Sequence, residues 1–233
     1  MQTSSVLKQF VFASFLMFPV LACAQTAMSP EQIQLEKNQV KYKSYIPQKY
    51  DLFEVITGDL NKDGIQDTVL IVKATDPNAW VEHEYRGKLD RNRRGVVVLF
   101  GEKTAYKRAM QNLSVFSSEN EEGGVYFQPE LWIEIKNNLL NVHYGHGRYG
   151  YWNYSFRYEA NDFRLIGYDS SEHRGPWVES DTSINLLTGK KRYRKNLNQD
   201  EEQDPKFKET WTKVNYAPIY LSKIKDMDEL SFD

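Results

Sequence analysis

From Tyr50 onward the apolar positions of the chain recur at every second residue, the spacing of a half-buried strand. Residues 51–57 (DLFEVIT) and 68–74 (TVLIVKA) read as two strands on this basis, and residues 95–100 (GVVVLF) as a strand covered on both faces. Between them, residues 80–94 read as a charged loop ending in an Arg-Asn-Arg-Arg run. Residues 131–136 (LWIEIK) and 139–144 (LLNVHY), joined by Asn137-Asn138, carry a strong hairpin signal, since paired Asn residues suit the left-handed positions of a two-residue turn. Residues 149–159 pair with 163–168 across Ala160-Asn161-Asp162, residues 183–187 with 190–195 across Thr188-Gly189, and residues 211–215 supply a last strand. Helical expectations are confined to the ends: Ser29-Pro30-Glu31 caps a short helix to about residue 40 within a polar 25–44 segment, and Ser222 caps another over residues 222–230. Short strands at this turn spacing predict a mainly β fold over residues 45–233, an antiparallel β-sandwich or meander-type single domain. No repeat with the period of a solenoid or propeller interrupts it.

The first 24 residues follow another pattern. Lys8 is their only charge, residues 10–22 form a run of 13 largely apolar residues, and Ala22-Cys23-Ala24 is a small-residue boundary. Together these make a secretory signal peptide. A membrane-spanning helix needs roughly 20 apolar residues, more than this run offers. Val20-Leu21-Ala22-Cys23 resembles a lipobox, in which Cys23 would carry lipid, while Ala22-Cys23-Ala24 equally suits cleavage before Gln25. The expected product is therefore exported, either free in the periplasm or anchored as a lipoprotein, with contact to membrane only through a lipid on Cys23. Cys23 is the chain's one cysteine, so no disulfide can brace the folded part.

Composition narrows the function classes. Removing residues 1–24 moves the formal charge only from −2 to −3, which argues against a nucleic-acid partner. An aromatic share of 14% is too rich for a disordered chain. The remaining 209 residues can bury a sizeable core.

The sharpest chemistry lies between the first two strands, in Gly58-Asp59-Leu60-Asn61-Lys62-Asp63-Gly64-Ile65-Gln66-Asp67. Oxygen-bearing side chains at Asp59, Asn61, Asp63 and Asp67 fall at alternating positions, Ile65 offers a backbone carbonyl, and Gly64 permits a sharp turn. Six to eight hard oxygen ligands suit Ca²⁺. Leu70 stands where an EF-hand needs its bidentate Glu, and the flanks have strand rather than helix period, so that motif is excluded. The segment, over about residues 55–73, resembles the FG-GAP/VCBS class of exported β proteins, whose short loop of this kind joins two strands. That resemblance implies structural Ca²⁺ on Asp59, Asn61, Asp63 and Asp67; those families usually repeat the loop in propeller blades, whereas one copy occurs here. The competing reading is a polar turn with no ion. The chain also looks like exported proteins of Gram-negative bacteria that combine this loop with later Gly-Tyr-Asp-Ser (167–170) and Leu-Thr-Gly-Lys (187–190) segments, a likeness that implies no activity.

Other constellations are less specific. His143 and His146 invite a zinc reading, but zinc needs three or four ligands, and positions three apart on a strand face opposite sides. Strand alternation puts Tyr149, Tyr151, Asn153, Ser155 and Arg157 on one face and Trp152, Tyr154, Phe156 and Tyr158 on the other, the second set reading as core. Tyr149 and Tyr151, with Arg148 beside them, are candidates to bind a protein or glycan, since rings and guanidinium groups make flat amphipathic contacts. The basic run 190–195 is followed at once by acidic residues, the pattern of a solvated surface. No nucleophile, zinc-protease or phosphate-loop motif occurs. The expectation is a calcium-clipped binding or accessory module of the cell envelope, more readily a binder than an enzyme. An envelope hydrolase acting on glycan or peptide would need two carboxylates converging in a cleft. A periplasmic immunity or inhibitor protein would need an aromatic docking patch.

Overall fold

The computed structural model describes residues 28–121, 129–198, 200 and 204–232. The leader read over residues 1–24, Cys23 included, lies outside the described residues, as do Glu201 and Glu202 of the acidic run.

Helix α1 (Pro30–Lys41) begins where its capping chemistry dictates. The Ser29 hydroxyl accepts from the Gln32 amide, and the Gln32 side chain accepts from the Ser29 amide. Strands β1 (Tyr50–Gly58) and β2 (Asp67–Ala74) form an antiparallel hairpin around the oxygen-rich loop. The 80–94 segment is more ordered than its charge suggests. Trp80 to His83 (β3) and Gly87 to Asp90 (β4) form a small hairpin, with Lys88 over the Trp80 ring. Strand β5 (Arg94–Gly101) returns beside β2, and β6 (Tyr106–Phe116), a strand whose mixed polarity hid it in the sequence, completes a four-stranded sheet in the order β1-β2-β5-β6.

The second sheet is a seven-stranded meander of β7 (Glu130–Lys136), β8 (Leu139–Gly145), β9 (Gly150–Glu159), β10 (Asp162–Arg174), β11 (Trp177–Asn185), β12 (Lys190–Asn196) and β13 (Phe207–Lys213), each paired with its sequence neighbours. Asn137 and Asn138 adopt φ of 53° and 60°, the left-handed pair that a two-residue hairpin turn requires. Strands β10 and β11 run on well past the expected 168 and begin before 183, because Ser, Thr and Glu replace the apolar alternation where the sheet leaves the core.

The four-stranded sheet is the middle of three layers. On one side Leu52, Leu70, Val72, Val97 and Leu99 pack with Tyr42 and the flank of α1. On the other, Val69, Ile71, Val96 and Val98 meet Ile133, Leu140, Val142, Tyr154, Phe156 and Phe163 of the seven-stranded sheet. Burial on both faces is why β2 and β5 are apolar at consecutive positions. The architecture is mainly β, antiparallel and sandwich-like, as the periodicity predicts.

The expected C-terminal helix over 222–230 does not form. A single 3₁₀ turn (Leu221–Lys223) leads into an irregular strap that buries Leu221, Ile224, Met227 and Phe232 between the layers. Its backbone groups are claimed from outside. Asn112 donates to the carbonyls of Leu221 and Ile224, the Met227 amide donates to Val115, and the Tyr154 hydroxyl is within bonding distance of the Met227 and Leu230 carbonyls. Tertiary partners thus displace the i→i−4 bonds that the apolar spacing alone would favour.

Candidate functional sites

The loop between β1 and β2 is tied by its own side chains. Asp59 accepts from the Lys62 and Gly64 amides at 2.7 and 3.2 Å, Asn61 Oδ1 from the Asp63 amide at 3.0 Å, and Asp63 from the Ile65 amide at 2.7 Å and the Asn61 side chain at 2.8 Å. Gly64 takes φ of 80°, where a β-carbon would be strained. Asp67 differs from the others in being fully buried. Its two oxygens accept from the amides of Leu60 (2.8 Å) and Gly101 (2.9 Å), so it bolts the loop to the end of β5. Burial pushes the Asp67 carboxyl above its ordinary range, and these backbone donors only partly offset that. Gly101 makes the contact possible, since a β-carbon there would lie 2.3 Å from the Gln66 carbonyl oxygen. On the far side, Asn138 of the β7–β8 turn donates to the Asp59 carbonyl at 2.8 Å. The loop is therefore a joint between the two sheets.

Among the described residues no three His, Cys, Asp or Glu side chains form a group that could hold a metal ion. The loop's donor set nevertheless has the chemistry of a hard-cation site, being oxygen throughout, and each carboxylate oxygen that accepts one amide keeps a second lone pair. The fit is best for Asp59, Asn61 and Asp63, which are at least partly exposed, with Asp67 set behind them.

The second candidate is the outer face of β7 to β10. Trp132, 60% exposed, lies edge-on to His143 at 6.3 Å between ring centroids, His143 lies 5.4 Å from Tyr151, and Tyr151 lies edge-on to His173 at 6.2 Å. Four strands therefore present a continuous row of rings. His143 is oriented by Asn153, whose amide oxygen is 2.5 Å from Nδ1. Tyr149 is not on the strand: it ends a 3₁₀ turn (Gly147–Tyr149) beside this row, with the Arg148 guanidinium 5.8 Å from its ring centre. The alternation placed Tyr154 and Phe156 inside, where both are fully buried. Trp132, His143 and His173 were not singled out for this face, although the alternation of LWIEIK turns Trp132 outward.

The structure separates His143 from His146. His146 faces the core side, stacked on Trp152 at 3.9 Å and 3.2 Å from Asp228, so the two rings cannot share a zinc ion.

Beyond Tyr151 the face becomes a polar cluster. The Ser171 hydroxyl is 2.7 Å from both His173 Nε2 and Asp181 Oδ1, and Arg194 pairs with Asp181. Ser171 has one proton, and Asp181 as a carboxylate can only accept it, so His173 must donate from Nε2. That direction is the reverse of what an activated serine nucleophile requires. The cluster is a brace between strands. No family model, curated protein or solved structure matches the chain.

Proposed function

We propose that this chain is an exported binding module of the cell envelope, with Ca²⁺ clipping its first hairpin and a protein or glycan partner meeting the outer face of β7 to β10. The observation that carries the binding reading is the row Trp132, His143, Tyr151 and His173, with Tyr149 and Arg148 at its end. Trp132 and Tyr149 are exposed and the other rings half-buried. Rings held on a hydrogen-bonded sheet lose little conformational freedom on binding, and aromatic and Arg side chains dominate binding energy where they are desolvated. The orientation of Ser171, His173 and Asp181 supports binding over catalysis on this face.

Replacing Tyr149 and Tyr151 together with Ala should cost stability less than about 1.5 kcal/mol, whereas Phe156→Ala in the core should cost about 3–5 kcal/mol. A photo-reactive residue at position 132 should trap a discrete envelope adduct that the double variant loses and that the same probe at Glu36, on the helix side, never gives. Equal adducts from both positions, or a melting point that collapses in the tyrosine variant, would show that the face is packing and not a docking surface.

A further inference from the structure

The seven-stranded sheet is wider than the sheet it packs on, and β10 to β13 overhang the core. Their inner face and the strap enclose a cleft of about 720 Å³, within the size range of ligand sites. Across its floor Ser170, Thr182, Tyr193 and Thr210 are register partners on four successive strands, so four hydroxyl-bearing side chains form one cross-strand row. At the spacing of neighbouring strands the row is about 14 Å long. No protein group among the described residues hydrogen-bonds any of these four side chains. Trp152 lines the same cleft, and its indole N–H is shielded from solvent with no acceptor among the described residues.

We infer that this cleft binds a neutral oligosaccharide, its hydroxyls pairing with the Ser170–Thr182–Tyr193–Thr210 row. A hydroxyl both donates and accepts, so a row of them matches a chain of groups with the same double capacity. An apolar ligand would strip water from the row and return nothing. Charge selects against an anion: Glu172 and Asp228 line the cleft, and its one lysine, Lys191, is bonded to the Phe232 carbonyl at 2.8 Å. An extended peptide gains its affinity from a main-chain ladder, which a floor of side chains cannot supply. Of the two carboxylates, Glu172 accepts from the Ser180 hydroxyl at 2.5 Å and Asp228 lies 3.2 Å from His146. The inference does not rest on the outer-face reading, because the row lies on the opposite side of the sheet.

The test titrates the full chain with linear hexasaccharides of glucose and of N-acetylglucosamine, with hexagalacturonate as the anionic control and a neutral hexapeptide as the main-chain control. At least one neutral hexasaccharide should bind. The pair Thr182→Val and Thr210→Val keeps shape and strand propensity but deletes two hydroxyls, and should weaken it about tenfold or more. Trp132→Ala on the outer face should leave this binding unchanged. If the valine pair does not fold, Tyr193→Phe carries the same test with a loss of about threefold or more. The inference is overturned if neither neutral sugar binds, if the hydroxyl-deleted variant binds as wild type does, or if hexagalacturonate or the hexapeptide binds more tightly. Loss in Trp132→Ala alone would move the sugar to the outer face, sinking this inference while leaving the binding module intact.

Discussion

Tyr154 holds the strap to the seven-stranded sheet with a single hydroxyl proton shared between the Met227 and Leu230 carbonyls, at 3.0 and 3.1 Å. Tyr154→Phe keeps the ring in the core and deletes that bond, leaving buried carbonyls short of a donor, and should cost about 1–2 kcal/mol in chemical denaturation. A loss within error would mean the strap is held by its apolar side chains alone. The same burial shapes the alkaline limit of the fold. Burial pushes the Tyr144 phenol up to about 12, and Tyr154 is driven in the same direction. An acid with a raised folded pKa keeps its proton in the native state after the unfolded chain has lost it, so stability falls as pH rises from about 10, the unfolded tyrosine value, through about 12. Absorbance at the tyrosinate band should show late-titrating phenols that ionise only as the fold is lost. Full titration in the native state would contradict the burial.

At the scale of elements, the β1–β2 hairpin decides whether the oxygen-rich loop is a cation site or a turn. A ligand bound only by the native state adds about 2.7 kcal/mol at a hundredfold excess over its Kd. Because Asp67 reaches Gly101 in β5 and Asn138 reaches Asp59 from the other sheet, ordering this loop should be felt by both layers. Millimolar Ca²⁺ should raise the melting temperature, a chelator should lower it, and Asp63→Ala should remove the response; Mg²⁺, which gives up water reluctantly, should substitute poorly. Wild type and Asp63→Ala melting together with and without Ca²⁺ would leave a polar turn. The hairpin itself was legible because its strands are strongly patterned and its loop chemistry is local. The same holds for Asn137-Asn138 and for the Ser29 cap. Strand β6 was not legible: Tyr106–Phe116 alternates poorly because helix-side, core-side and strap contacts all fall on it. The C-terminal segment misled for the converse reason, since its apolar spacing is helical but its hydrogen-bond partners are distant in sequence.

For the whole molecule, the aromatic positions told which face of β9 is core, but the row from Trp132 to His173 joins four strands and exists only once their register is set. The cleft was wholly invisible, because it depends on one sheet being wider than the other. The proposed export is tested on the entire chain. Expressed with its leader, the protein should be recovered from the periplasm or membranes lacking residues 1–22 or 1–24, and intact mass distinguishes a lipidated Cys23 from a free Gln25. A full-length cytoplasmic product would refute the leader.

The strap has a consequence in time. Leu221, Ile224, Met227 and Phe232 complete a core whose other walls come from β2, β5, β9 and β10. Their contacts reach back 73 residues to Tyr154 and 112 to Asn112. Such pairings close late, since the chain entropy of a long loop is spent before the contact rewards it. The strap follows every strand in chain order, so this part of the core can close only after the last strand has been made. A core that closes so late would suit the export proposed above, since threading through a narrow conduit needs a chain that is still open.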